Sequence, residues 1–313
     1  MRPAFRTVIA VAVLAAGAAA VAAARGLVQD GVPGEGAAAE AAGAAAGPAV
    51  RGAAPERAAR AGAAPRVVGG MLPGMEPAPE VPDLTDPRSP HSFYFARAAY
   101  NSYGRFRNFR GGRSRGSWAT DFPKADLQFI TVLQRLAKID VYPGEYAITL
   151  DDPDIRRFPF LYALEVGAMS LTDAEVKGLR DYLFAGGFLV IDDFWGTEEW
   201  ANFEYEIKRV LPEFDIVEMP LDHEIFHTYY DIEEILQVCA RNNCRDGRTW
   251  ERDGYVPHAR GIFNDEGRLL VMINWNTDLG DAWEWAEQPD YPVPLSTYAF
   301  KMGLNFIIYA MSH

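Results

Sequence analysis

The order of strand-like and helix-like segments in residues 91–313 predicts an α/β fold, a three-layer sandwich built on a mostly parallel sheet. Two observations predict it. Short apolar runs such as "YAITL", "FLYALEV" and "FLVIDD" are typical of strands that are buried on both faces of a sheet. Amphipathic runs with helical spacing separate these strands, and right-handed crossovers would place such helices on both faces.

Each element follows from a local pattern. The aromatic run "SFYFARAAY" predicts the first strand, and Asp121 with Pro123 predicts the start of a helix whose apolar residues recur at helical spacing. Thr172 and Glu175 form a capping box that opens a second helix. The other predicted elements are strands at "FDIVEM", "RGIFND" and "RLLVMINWN" and helices over about 198–211 and 298–311.

The composition of residues 1–90 does not predict a folded structure. Residues 1–24 combine Arg2 and Arg6 with an apolar run that ends in small residues, a pattern typical of an export signal, although an uncleaved membrane anchor would look similar. Residues 25–90 are rich in Ala, Gly and Pro and predict a disordered linker. The folded domain, residues 91–313, is therefore expected outside the cytoplasm, either periplasmic or tethered to the membrane.

Charge and cysteine content narrow the function classes. The formal net charge of −13 argues against a nucleic-acid partner. One basic segment, which begins at Arg97, either binds an anionic partner or forms a solvated loop; its anion-binding candidates are Arg105, Arg107 and Arg110. The spacing of Cys239 and Cys244 favours a disulfide in an exported protein, and a zinc site with two histidines is the alternative.

Acidic and aromatic side chains follow the ends of the predicted strands. Ligands of parallel sheets bind beyond the carboxyl ends of the strands, so these residues predict a crevice that binds a cation or a glycan. Each of them could instead cap a helix or solvate a turn. The ligand-binding candidates are Asp192, Asp193, Trp195, His223, Asn276, Asp278, Asp281, Trp283 and Glu284.

Six ordered motifs resemble one protein family. They are "FYFARAAY", "DFPKAD", "LTDAEVKGLRDYLFAGGFLVIDDFWG", "PLDHEIFHTYYDI", "NTDLGDAWEW" and "GLNFIIYAMSH". Together they resemble the bacterial family of domain of unknown function 4159, which itself looks like a divergent class I glutamine amidotransferase-like, flavodoxin-type fold. That resemblance implies a nucleophile elbow after "FLVI", where this chain has Asp192 and Asp193 and no cysteine, so amidotransferase chemistry is not expected.

The segment His223-Glu224-Ile225-Phe226-His227 matches the zinc-protease signature H-E-x-x-H. In the family that this chain resembles, the corresponding segment tends to be His-Pro-Ile-Phe, with proline in place of Glu224. This chain also has no third zinc ligand at the spacing that the signature requires. We therefore do not expect a zinc protease. His223 follows a predicted strand and remains a candidate for the crevice.

Two function classes follow from these observations. The first is a ligand-binding or interaction module of the cell envelope, with a glycan or a protein as partner. The alternative is a metal-assisted hydrolase that uses the acids and a histidine at the strand ends. The sequence assigns no metal ligands and requires no cofactor.

Overall fold

The computed structural model describes residues 91–103 and 117–313, which form an α/β domain around a seven-stranded sheet. The predicted export signal, the predicted linker and the basic residues Arg105, Arg107 and Arg110 lie outside the described residues. Among the helices that the structure describes, none is both long enough and apolar enough to cross a membrane.

The elements alternate along most of the chain. The strands are β1 (Ala96–Ala99), β2 (Tyr146–Thr149), β3 (Phe160–Leu164), β4 (Phe188–Asp192), β5 (Ile216–Glu218), β6 (His258–Phe263) and β7 (Leu269–Trp275). The α-helices are α1 (Lys124–Leu136), α2 (Asp173–Phe184), α3 (Gly196–Val210), α4 (Arg241–Arg245), α5 (Leu279–Glu284) and α6 (Val293–Ser312). Short 3-10 helices lie at Ser117–Ala119, Pro153–Arg157, Val166–Ala168 and Glu224–Phe226.

The sheet has the strand order β2-β1-β3-β4-β7-β6-β5. The pairings from β2 to β7 are parallel, whereas β6 is antiparallel to both β7 and β5. The mostly parallel sheet is therefore confirmed. The antiparallel hairpin of β6 and β7 was not predicted, although Gly267, with a φ of 82°, supplies the left-handed turn residue that joins them.

A hydrophobic core lies on each face of the sheet, because alternate residues of a strand point in opposite directions. On β3, Tyr162 and Leu164 belong to one core and Leu161 and Ala163 to the other. The first core also holds residues of α1, α5 and α6, and the second holds residues of α2 and α3. Helices therefore cover both faces, as the sequence predicts.

The chain reverses its direction of winding between β1 and β3. The helix after β1 packs on the first core, and the helices after β3 and β4 pack on the second. In open α/β sheets such a switch point opens a crevice beyond the carboxyl ends of the strands. We call this edge of the sheet the carboxyl edge, and a functional site is expected there.

Arg97 holds one side of that crevice in place. Its side chain on β1 is fully buried and paired with Asp126 of α1, and it donates to the backbone oxygens of Trp118 at 3.3 Å and Thr120 at 3.0 Å. It also lies over the ring of Tyr162, with 4.9 Å between Cζ and the ring centroid. The expectation that Arg97 belongs to a solvated or anion-binding segment is therefore wrong, because its charge is used inside the domain.

The predicted helix starts are accurate where a cap defines them. The Thr172 hydroxyl accepts from the backbone N–H of Glu175 at 3.2 Å, and the Glu175 carboxylate accepts from the backbone N–H of Thr172 at 2.8 Å, so the capping box is confirmed. By contrast, α6 begins at Val293, five residues before the predicted start. Pro292 and Pro294 are tolerated at its beginning because the N–H groups of a first helical turn have no partner within the helix.

Candidate functional site

The backbone at the carboxyl edge adopts an uncommon conformation. Glu165 after β3, Asp193 after β4 and Asn276 after β7 have φ values of 55°, 47° and 60°, and Asp121 before α1 has 59°. Non-glycine residues seldom occupy this left-handed region, and they persist there only where the surroundings hold them. Here the segments hold each other, since Glu165 N–H donates to the Asp193 oxygen at 2.9 Å and Asp193 N–H to the Thr277 oxygen at 3.1 Å.

Asp192 ends β4 and anchors the start of α5. Its Oδ2 accepts from the Tyr162 hydroxyl at 2.6 Å and from the backbone N–H groups of Leu279 at 2.9 Å and Gly280 at 3.1 Å. Burial raises the pKa of Asp192 to about 7, against the lowering effect of these hydrogen bonds. Its other oxygen, Oδ1, is buried and has no hydrogen-bond partner among the residues that the structure describes.

Asp193 occupies the elbow between β4 and α3. The side chain is buried, and its Oδ1 accepts from the indole Nε1 of Trp195 at 2.9 Å. Burial raises the pKa of Asp193 well above its usual range, and the negative charges of Glu165, Asp121 and Asp192 raise it further. Binding of a cation or a proton would therefore stabilise a carboxylate in this position.

Asp278 caps the N-terminus of α5, where its Oδ1 accepts from the Asp281 N–H at 2.7 Å. It is buried, and its pKa is raised well above the usual range by burial and by the charge of Asp193. Three residues on, Asp281 accepts from the Arg241 N–H at 2.6 Å and from the Trp285 indole at 3.1 Å. Glu284 follows after three more residues, and its pKa is raised to about 7 by burial and by Asp281.

Asp121 brings these acids into one cluster. Carboxylate oxygens of Asp121, Asp193 and Asp278 lie within 4.8 Å of one another, and so do those of Asp121, Asp281 and Glu284. We call the five residues the acidic cluster. The approach requires glycine at position 280, because a Cβ there would lie 2.9 Å from Asp121 Oδ2 and 3.1 Å from the Tyr162 hydroxyl.

The acidic cluster has no positively charged partner within reach of a salt bridge in the described part of the chain. Its members form none of the ion pairs there, whereas nearby Lys124 pairs with Glu287 at 3.0 Å and Arg241 with Asp290 at 2.8 Å. Asp121 Oδ2 is buried and has no hydrogen-bond partner among the described residues. Burial raises the pKa of Asp121 well above the usual range, with a further contribution from Asp281. Several carboxylates that share one small volume disfavour each other's charge unless a cation joins them.

A second group of acids borders the acidic cluster on the α3 side. Burial raises the pKa of Glu165 to about 8, and Glu199 and Glu251 add to the shift. Glu199 accepts from the Trp195 N–H at 2.6 Å and forms an ion pair with Arg252 at 2.5 Å. Glu165 thus holds a proton at neutral pH next to the elbow occupied by Asp193.

The predicted aromatic lining is not available to a ligand. Trp195 is 2% exposed and donates to Asp193, and Trp283 is 1% exposed and packs on Phe129, with 4.6 Å between the ring centroids. Trp285 is partly exposed, but its ring is covered by Lys124 at 3.8 Å and Arg241 at 4.5 Å. The expectation of a Trp-lined crevice is therefore wrong, because these rings complete the core or stack on cations.

Asn276 lies at the carboxyl edge, but its side chain serves the backbone. Its Oδ1 accepts from the Gly196 N–H at 2.8 Å, and its Nδ2 donates to the Val256 oxygen at 2.7 Å. The side chain is buried, so both halves of the amide are already satisfied inside the domain. Asn276 thus positions the start of α3 rather than offering a free group to a ligand.

His223 does not share the crevice with the acids. Its ring contacts those of Phe263 and Tyr309, at centroid distances of 5.5 and 6.4 Å. Phe263 pairs with Leu269 at the start of β7, and Tyr309 packs on Phe188 at the start of β4, so His223 lies at the opposite edge of the sheet. The predicted convergence is wrong, because the chain turns back after β5 instead of staying at the carboxyl edge.

The residues of the zinc-protease signature also have other roles. His223 Nδ1 accepts from the Ile225 N–H at 3.2 Å and caps the 3-10 helix Glu224–Phe226, so there is no α-helix here to align two imidazoles. His227 hydrogen-bonds Asp231 at 3.0 Å and the Leu221 oxygen at 2.8 Å. The geometry of an H-E-x-x-H zinc site is absent from these residues.

Cys239 and Cys244 form a disulfide, with 5.5 Å between their Cα atoms. The bridge closes the loop that carries α4, and the Cys239 oxygen accepts from the Tyr291 hydroxyl at 2.9 Å. Because Arg241 inside this loop donates to Asp281, the disulfide supports one wall of the acidic cluster.

Replacing Cys239 and Cys244 together by serine is expected to lower the free energy of unfolding by about 2 kcal/mol, the loop-closure entropy of so short a loop. Urea unfolding of the oxidised parent and of the variant would measure the difference. A reductant should bring the parent to the stability of the variant and leave the variant itself unchanged. Equal stability of the oxidised parent and the variant would contradict the prediction.

Sequence reasoning located Asp193, Asp278, Asp281 and Glu284 near one another but missed Asp121 and Glu165. The local pattern predicts only a helix cap at Asp121, and the run "FLYALEV" places Glu165 inside a strand. One signal could have found Glu165, since it is the first charged residue after a buried strand, as Asp193 is after β4. For Asp121 the approach depends on Arg97, which no local pattern reveals.

Comparison with known proteins supports the family but no activity. The chain matches no curated protein at a significant level. A family model described as Domain of unknown function (DUF4159) matches residues 95–311, which include every member of the acidic cluster and every strand of the sheet. The chain therefore belongs to this family of uncharacterised domains.

Proposed function

We propose that residues 91–313 form a ligand-binding domain of the cell envelope whose ligand includes a hard divalent cation bound by the acidic cluster. The observation that carries the proposal is the convergence of Asp121, Asp193 and Asp278, whose carboxylate oxygens lie within 4.8 Å of one another. An all-oxygen donor set suits Ca²⁺, Mg²⁺ or Mn²⁺ rather than Zn²⁺ or Cu²⁺.

The electrostatics support a cation over an uncharged ligand. Asp193 and Asp278 are buried, burial raises the pKa of both, and the charge of Asp193 raises the pKa of Asp278 further. A buried charge is tolerated when it is paired or coordinates a metal, and these carboxylates have no ion-pair partner in the described part of the chain. A divalent cation would supply the missing positive charge and convert mutual repulsion into coordination.

The proposal extends to location and partners. Export is supported by the signal-like pattern of residues 1–24 and by the Cys239–Cys244 disulfide, since disulfides persist in oxidising compartments. Residues 25–90 would then separate the domain from a membrane tether. With the predicted Trp platforms buried, an envelope glycan or protein partner would contact the cation and the rim of the carboxyl edge.

Asparagine variants provide a sharp test, because asparagine caps helices as aspartate does and tolerates left-handed backbone. In chelator-treated protein, addition of Ca²⁺, Mg²⁺ or Mn²⁺ is expected to raise the melting temperature, with about 2.7 kcal/mol of stabilisation at a hundredfold excess over Kd. Asp193→Asn and Asp278→Asn should each reduce this response. At pH 8 without cation they should be more stable than the parent, because they remove charge repulsion.

Asp265→Asn is the matched control, since Asp265 is an exposed acid in the β6–β7 turn at the opposite edge of the sheet. It should leave the response to cations unchanged. Absence of any response in the parent would overturn the proposal. An equal response in Asp193→Asn and the parent would do the same, and the cation would then have to bind elsewhere.

A second candidate function, metal-assisted hydrolysis, is favoured by the conformation of Asp193. This residue stands at a strand-to-helix turn with a left-handed backbone, the geometry that presents a nucleophile in elbow motifs. Glu165, which retains a proton at neutral pH, lies beside it. Turnover of ester or amide substrates that requires both the cation and Asp193 would favour this candidate over pure binding.

A further inference from the structure

We infer that the acidic cluster holds two cations, not one, with Asp121 as the bridging ligand. The inference rests on the proposed function and deepens it. Two triads of oxygen ligands are present: Asp121 with Asp193 and Asp278, and Asp121 with Asp281 and Glu284. Asp121 is the one residue common to both, and a carboxylate has two oxygens with which to serve two ions.

The two triads differ in depth. Asp193 and Asp278 are buried, whereas Asp121, Asp281 and Glu284 are partly exposed. The first triad therefore defines an inner site against the strand ends, and the second defines an outer site that opens to solvent. Because two of its three ligands are buried, we expect the ion in the inner site to exchange more slowly.

Helix α5 accounts for the pairing of the sites. Asp278, Asp281 and Glu284 follow one another at intervals of three residues, which places them on one side of the helix. Asp121 lies beside the start of that helix, where Gly280 lets the Asp121 carboxylate approach. One row of acids on α5 thus contributes the first ligand to the inner site and the other two to the outer site.

A fully buried oxygen without a partner points independently to a ligand. Asp192 is 0% exposed, its Oδ2 has three donors, and its Oδ1 has no partner among the described residues. Its charge acts on both Asp193 and Asp278, so the side chain lies close to the inner site. An unpaired buried oxygen is costly unless a ligand satisfies it, and a cation in the inner site would do so.

Charge balance favours two ions over one. The acidic cluster has five carboxylates, and the ion pairs of the described residues include none of them. One divalent ion would leave a large excess of negative charge in a half-buried volume, whereas two would nearly neutralise it. Sharing of a carboxylate by two ions at close range is the usual arrangement of two-metal sites.

Calorimetric titration of chelator-treated full-length protein with Mn²⁺ tests the inference. The parent should bind two ions per chain. Glu284→Gln should retain only the inner ion and Asp193→Asn only the outer one, while Asp121→Asn should lose both. Glu287→Gln is the matched control, because Glu287 lies in the turn that follows α5 and pairs with Lys124 outside both triads. It should still bind two.

Electron paramagnetic resonance of the Mn²⁺-loaded parent gives a readout that a purely structural effect would not change. Two bridged ions should show spin exchange, and the signal should become that of an isolated ion in Glu284→Gln. A stoichiometry of one in the parent overturns the inference but leaves the proposed function standing. A stoichiometry of zero overturns both, and circular dichroism of each variant separates loss of binding from loss of folding.

Discussion

Replacing Arg97 by methionine is expected to lower the free energy of unfolding by about 3–5 kcal/mol, which makes it among the most damaging single substitutions in the domain. The change leaves the Asp126 carboxylate fully buried without its partner and frees the backbone oxygens of Trp118 and Thr120. An uncompensated buried charge costs far more than the loss of a surface ion pair.

The double variant Arg97→Met with Asp126→Leu separates charge from packing. Replacing both members of a buried pair by apolar residues is often nearly neutral, so the double variant should recover most of the lost stability. Urea unfolding of the parent, both single variants and the double variant would measure the coupling. A double variant as unstable as Arg97→Met would show that the backbone contacts of the guanidinium, and not its charge, hold the domain together.

Arg97 also links stability to the candidate site. The oxygens that it binds belong to the segment that leads to Asp121, whose left-handed backbone sets the position of its carboxylate. In the double variant this segment loses its anchor, so cation affinity should fall even where stability is restored. Cation affinity, measured on the same four proteins, is therefore a second readout that is independent of their stability.

In metal-free protein, stability is expected to fall as pH rises from about 4 to about 8. Burial raises the pKa of Glu165 to about 8 and that of Asp192 to about 7. In the unfolded chain these groups lose their protons near pH 4. Between pH 4 and pH 8 the unfolded state therefore binds fewer protons than the folded state, so the free energy of unfolding falls as pH rises.

Each such group contributes a slope of about 1.4 kcal/mol per pH unit over its own window. Glu284, with a pKa of about 7, acts in the same direction. Glu165 and Glu284 are both partly exposed, so solvent screening makes the contribution of each smaller than that of the fully buried Asp192. Above about pH 8 the folded state has lost these protons too, and the dependence levels off. Most of the loss should therefore occur between pH 5 and pH 8.

Urea unfolding at pH 5, 7 and 9 with a chelator, repeated with saturating Ca²⁺, would measure this dependence. Cation binding should flatten it by stabilising the ionised carboxylates of the folded state. Glu165→Gln should remove its own share of the slope in the chelated protein. A metal-free domain whose stability rises over the same range would contradict the prediction and show that the buried acids already have partners.

The sequence predicted the elements whose signals are local. The capping box at Thr172 and Glu175, the apolar strands β3, β4 and β7 and the acids at two of their ends all follow from spacing and composition. Each signal depends on neighbours within a few residues, so the pattern alone suffices. The candidate residues Asp193 and Asp278 were found in this way.

What the sequence could not show depends on long-range contacts. Charge patterning places Arg97 in a basic segment, because it does not reveal Asp126, the partner 29 residues away. The strand before His223 predicts that this residue lies with the acids, yet the chain turns back and packs the ring on Tyr309. Trp195 and Trp283 were expected to face a ligand, but burial of their rings is decided by packing across the sheet.

The four left-handed residues at the carboxyl edge also limit how this sequence can vary. At Asp121, Asp193 and Asn276 the backbone alone admits little besides Gly, Asn and Asp, and Glu165 is a less usual occupant of the same conformation. Glycine at any of these positions could adopt the left-handed backbone conformation but would remove the polar side chain. Tolerance of glycine at one position and its rejection at another would therefore separate the residues that shape the loops from those selected for their charge.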